Sequence, residues 1–182
     1  MLFKSTLAAA AALALTACAS NMSAPAMMYS QASLPDAVKV PAGHKVAMET
    51  VGVGQITYEC KAKANMPGQF EWVFGGPDAK LLDRSGKQVG KYYGPPATWE
   101  ANDGSKFTAT QLAVAPNGAG NIPLQLVKAN PAMGMGAMSG VTYTQRVATK
   151  GGVAPSSACG AANVGAKQVV QYQADYIFYK AS

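Results

Sequence analysis

Apolar and polar residues alternate with period two along several stretches of the chain. Across residues 141–149, Val141, Tyr143, Gln145 and Val147 fall on one face, and Thr142, Thr144, Arg146 and Ala148 on the other. Across residues 167–180, Val170, Tyr172, Ala174, Tyr176 and Phe178 share a face. In QITYECKAK (55–63), Ile56, Tyr58 and Cys60 alternate with Gln55, Thr57 and Glu59, which predicts a half-buried strand with Cys60 turned inward. Shorter apolar runs at 46–53, 70–74, 107–114 and 122–127 read as further strands.

Turn residues separate these runs. Gly75-Gly76-Pro77 reads as the stop of the strand FEWVF, and Asp83-Arg84-Ser85-Gly86 as a type I turn joining two hairpin arms. Asn102-Asp103-Gly104-Ser105 and 117–120 are further turns, with Trp99 between the first of them and Pro95-Pro96. NPAMGMGAMSG (130–140) lacks any core pattern and reads as a mobile loop. No segment longer than a turn or two has helical period. The sum is an all-β domain of roughly eight to ten short strands, a β-sandwich or a barrel.

Composition agrees: 182 residues, 49% hydrophobic and 13% charged, can bury one sizeable core, and 19 glycines and 11 prolines suit strands and turns. The N-terminal end reads differently. Lys4, the apolar run 7–15 and small residues around Cys18 form a secretory signal, too short for a membrane span. Leu15-Thr16-Ala17-Cys18 resembles the lipobox of bacterial lipoproteins, which implies cleavage before Cys18 and its acylation. Ala17-Cys18-Ala19 also fits ordinary cleavage after Ala19, leaving a soluble periplasmic or secreted protein. The divisions are then a signal peptide over 1–17, a flexible tether over 18–33 and the β domain over 34–182. Ala19 beside an acylated Cys18 points to the outer membrane, with the lipid anchor as the contact to the bilayer.

With Cys18 acylated, Cys60 and Cys159 remain, an even pair in an oxidising compartment that is expected to bridge. The formal charge of +6 falls to +5 when Lys4 leaves with the signal, short of a nucleic-acid signature.

QITYEC, GPDAKLLDRSGKQVGKYYGPPATWEANDGS, YTQRVATKGGVAPSSAC and YQADYIFY, in that order, resemble the secreted bacterial and fungal family known as domain of unknown function 3455. The resemblance implies an exported β-rich domain with Cys60 and Cys159 as its recurring cysteine pair, and brings no activity. Tyr93 stands where members often carry a histidine, and Leu124 where a tryptophan is frequent.

Candidate chemistry is sparse. His44, the single histidine, sits in a turn-like PAGHKV and reads as a surface residue. With one histidine and two bridged cysteines, the ligands for a zinc site are missing, and no cofactor is implied. Glu100 and Asp103 flank a turn beside Trp99 and Tyr93, so a carbohydrate site or a two-carboxylate hydrolase is conceivable there, against a core tryptophan and a turn-shaping aspartate. Met133, Met135 and Met138 offer soft ligands for Cu(I), against loose packing in a loop. Lys80, Arg84, Lys87 and Lys91 crowd one hairpin and would favour an envelope polyanion, against simple solvation. Arg146 and Asp175, each in a strong strand, are expected to pair across a sheet. The leading expectation is a non-catalytic cell-envelope binding or structural module of unknown ligand. The alternatives are an envelope carbohydrate hydrolase and a Cu(I)-binding protein.

Overall fold

The computed structural model describes residues 29–182. Eight antiparallel strands follow in chain order round a closed barrel. They are β1 (His44–Ala62), β2 (Phe70–Leu82), β3 (Gln88–Tyr93), β4 (Thr98–Ala101), β5 (Lys106–Ala115), β6 (Leu124–Ala129), β7 (Val141–Gly151) and β8 (Lys167–Ala181), with β8 paired back onto β1. Closure gives every strand a partner on both sides over at least part of its length. The loops at 63–69, 94–97, 116–123 and 152–166 gather at the upper end, and those at 83–87, 102–105 and 130–140 at the lower.

Inward residues of the lower lumen are mostly aromatic. Trp99 stacks on Tyr92, ring centroids 4.5 Å apart, and on Phe107 at 5.3 Å, while Tyr176 meets Trp99 edge-on. This stack makes the lumen a packed core, with Phe178 and Leu81 also fully buried. Its bulk is accommodated on β1 by Gly52, where a Cβ would stand 2.5 Å from Tyr176 Cε2.

Gly75-Gly76-Pro77 does not end a strand. β2 continues through it with a bulge, Thr57 facing Gly76 while Tyr58 faces Phe74, so that Gly75 is the extra residue. Gly76 takes φ +146 with the Gly94 carbonyl against it, a place no Cβ could occupy.

A second apolar cluster lies outside the barrel. Val38, Val40, Leu124, Leu126, Val147, Ile177 and Tyr179 pack together under the segment preceding β1, which includes a 3-10 turn at Asp36–Val38. Gln145, fully buried, pins that segment: its Oε1 accepts from the hydroxyls of Tyr29 and Tyr179, and its Nε2 donates to the Val38 carbonyl and to Gln31 Oε1. Residues 29–33, expected in the tether, are therefore part of the folded body; the rest of the expected tether, with Cys18 and the signal, lies outside the described residues.

The covered outer wall decides which face of β7 is inside. A bulge between Val141 and Tyr143 shifts the register, so Val141 faces the lumen, Tyr143, Gln145 and Val147 face the strap, and Thr144 and Arg146 turn inward. Arg146 thus stands opposite Tyr176, and the expected pair with Asp175 does not form. Asp175 points outward to Arg84 Nη1 at 2.7 Å, with Glu49 on the same guanidinium.

The loop at 130–140 is pinned rather than mobile. Met138 is buried in the lower lumen, Met133 and Lys106 exchange backbone hydrogen bonds, and Asp103 accepts from the Ala137 amide at 2.7 Å. Cys60 and Cys159 are bridged, Cα atoms 5.5 Å apart across a separation of 99 residues, which fastens the β7–β8 loop to the upper end of β1. By the chain-entropy account such a loop contributes about 4–5 kcal/mol.

Candidate functional site

At its upper end the barrel is incompletely filled. β5 pairs with β4 only over Lys106 to Thr108, so its upper half is held by β6 alone, and the wall opens beside it. A cavity of about 300 Å³ enters there, lined by Ile56 and Tyr58 of β1, Phe74 of β2, Tyr92 of β3, Ile122 and Arg146. Ala97, Pro123, Gln111 and Gln125 complete the wall.

Most polar groups here are held in place. Tyr58 donates its hydroxyl to the Gly152 carbonyl at 2.9 Å, and the Tyr172 and Tyr176 hydroxyls bond each other below. Gln125 Nε2 donates to Gln111 Oε1. Arg146 donates Nε and Nη2 to the Pro123 carbonyl, at 3.2 and 3.0 Å, which fixes the plane of the guanidinium. Phe74, 52% exposed though it faces the same side as Tyr58, forms an aromatic rim and meets that tyrosine edge-on.

Among the described residues Arg146 has no carboxylate within salt-bridge reach. Its charge acts on the tyrosines instead. Burial raises the phenols of Tyr58, Tyr172 and Tyr176 and pushes Tyr92 up to about 12, and in each case the Arg146 cation partly offsets the rise. All four phenols stay neutral at pH 7, so the mouth carries one uncompensated positive charge among apolar walls. Such a site can hold an anion. Its lining offers no carboxylate, imidazole or thiol, hence no ordinary general base or nucleophile.

The residues singled out by sequence are distributed elsewhere. Trp99 is 2% exposed inside the lumen, whereas Tyr93 and Glu100 lie on the outer wall, where the Tyr93 hydroxyl donates to Glu100 Oε2 at 2.7 Å. Lys91 and Lys106 flank the same carboxylate at 3.2 and 3.8 Å. Asp103 is at the lower end, accepting from the Ser105 hydroxyl and amide. The bond from Tyr93 first, with the lysines behind it, lowers the Glu100 carboxyl, and the Ser105 hydroxyl does the same for Asp103. A glycosidase acid needs the opposite shift. The structure does not bring these four residues to one cleft.

The three loop methionines are also separated by environment: Met138 is buried in the core while Met135 is 89% exposed. Of the hairpin cations, Arg84 and Lys91 are engaged by Glu49, Asp175 and Glu100. His44 Nδ1 lies 3.2 Å from the Pro41 carbonyl, and the ring abuts Tyr143 edge-on, beside a broader hollow of about 450 Å³ at the lower end. Among the described residues no three His, Cys, Asp or Glu side chains gather as a metal cluster.

Sequence reasoning missed Arg146 as a site residue. The available signal was Asp175, which alternates out of phase with Tyr172 and Tyr176 and so had to face outward, away from any lumen residue.

No curated protein and no solved structure matches the chain. A family model described as a protein of unknown function, DUF3455, matches residues 41–180, a span that opens just before β1 and ends within β8. The chain, its whole barrel included, belongs to the DUF3455 family.

Proposed function

We propose that this protein is a non-catalytic binding module of the cell envelope, exported behind its N-terminal signal and held at the outer membrane by a lipid on Cys18, with its ligand site in the upper mouth of the barrel. The observation that carries the reading is Arg146, a guanidinium oriented by the Pro123 carbonyl and facing a 300 Å³ cavity without a carboxylate in reach. A half-buried cation with no carboxylate partner, beside apolar walls, is free to take an anionic ligand. The absence of a general base among the lining residues favours binding over turnover. The bridged cysteines and the signal-like N-terminal segment favour an oxidising envelope compartment.

The test is amide chemical-shift mapping of the isotope-labelled mature protein with single-ring fragments: phenol, indole and benzamide. Shifts are expected at Tyr58, Phe74, Tyr92 and Arg146. Shifts confined to the lower end around His44 and Tyr143, or none at millimolar fragment, would sink the reading.

A further inference from the structure

Resting on that assignment of the mouth, we propose that its ligand is a small aromatic monocarboxylic acid, its carboxylate on Arg146 and its ring among Tyr58, Phe74 and Tyr92. Four properties of the site select this class. The first is which edge of the guanidinium is open. Nε and Nη2 are committed on one side to the Pro123 carbonyl, so the Nη1 and Nη2 protons at the tip remain as a pair of parallel donors. That pair matches the two oxygens of a carboxylate.

Charge is the second. Arg146 is the single cation of the lining, which suits a monoanion; a phosphate monoester, close to doubly charged at neutral pH, would want a second one. The third is size. The cavity of about 300 Å³ is twice the roughly 150 Å³ that an apolar cavity needs to take one benzene ring, which leaves room for a ring with a short acid-bearing arm.

Wall chemistry is the fourth. Ile56, Ile122 and three aromatic rings favour an apolar body, and Phe74, half exposed at the rim, offers a face to an incoming ring. The Gln125–Gln111 bond leaves the Gln111 amide nitrogen as a further donor at the polar side of the mouth.

Isothermal titration of the mature, disulfide-intact protein at low salt tests this with 3-phenylpropionate, the neutral 3-phenylpropionamide and phenyl phosphate. The acid is expected to bind tenfold to a hundredfold tighter than the amide, the range about 1.4–2.8 kcal/mol for a charge-assisted pair provides, and tighter than the phosphate. Arg146→Gln should abolish the preference for the acid while leaving the amide unchanged, and Arg146→Lys, which keeps charge without the fork, should fall between. Ala97→Trp, which adds bulk from another part of the lining and leaves the arginine in the sequence, should abolish both; circular dichroism confirms that each variant is folded.

Equal affinity for acid and amide in the wild type, a preference for the phosphate, or silence to all three probes overturns the carboxylate class, and the fragment shifts at the mouth then still decide the site. Full binding by Ala97→Trp overturns the site itself.

Discussion

Gln145→Leu should unfasten the N-terminal strap. The side chain is fully buried and makes four hydrogen bonds, two of them to partners water cannot reach once it is gone: the Val38 carbonyl at 2.6 Å and the Tyr179 hydroxyl at 2.9 Å. The other two, to Tyr29 and Gln31, are half-buried and can be taken over by solvent. A buried polar group left without a partner costs about 1–3 kcal/mol, so the two together cost about 2–6 kcal/mol. Leucine has nearly the volume of glutamine, so little cavity opens, and its more favourable burial offsets about 1–2 kcal/mol. The net expectation is a loss centred on about 2.5 kcal/mol, a large share of the roughly 5–15 kcal/mol that holds a domain together. In urea the midpoint should fall by about 1 M for a typical slope. Exchange at the Val40 amide, which donates to Gln31 Oε1, should speed up more than exchange in β1 or β8. A stability within about 0.5 kcal/mol of the wild type, with Val40 still protected, would refute the claim that Gln145 is the anchor.

Two further outcomes follow from the same structure. The Cys60→Ser/Cys159→Ser double variant should lose about 4–5 kcal/mol in a urea titration, because a cross-link over 99 residues no longer restrains the unfolded chain; a loss below about 1 kcal/mol would show that the β7–β8 loop is held by other contacts. Alkaline stability is set by the phenols: burial raises Tyr29 and Tyr92 to about 12 and lifts Tyr172, Tyr176 and Tyr179 as well, with Glu49 and Asp175 adding to Tyr29. The folded state therefore holds these protons when the unfolded chain has released them, so stability is complete below about pH 10 and falls as pH rises toward 12. The tyrosinate absorbance of these five of the eight tyrosines should rise together with the loss of β-sheet circular dichroism; a rise of that share before unfolding would mean that these hydroxyls are open to solvent.

The strands and the disulfide were legible in the sequence because each rests on a local or countable property. Period two survives in Ile56-Tyr58-Cys60 and in Tyr172-Ala174-Tyr176-Phe178, whose faces the structure keeps, and with Cys18 set apart in the N-terminal segment the two remaining cysteines have one way to pair. The site was not legible, for two physical reasons acting on β7. A strand in a barrel shows its interior as the apolar face only if the outside is wet. Here the strap over Val147, Ile177 and Tyr179 makes the outer wall apolar too, so hydrophobicity ceases to say which way is in. With both faces dry, the direction of Arg146 depends on residue count, and the bulge between Val141 and Tyr143 changes that count by one. The one mark near the bulge is Gly140, directly before Val141 with φ +73, and in the sequence it reads as the end of the loop at 130–140. Met138 escaped for a different reason: no alternation surrounds it, so it reads as part of a loose loop, yet it is buried as the lower plug of the lumen where Asp103 fixes the Ala137 amide. In this fold, then, the direction of Arg146 follows from a long-range pairing register, and a register is a property of two strands together that neither carries alone.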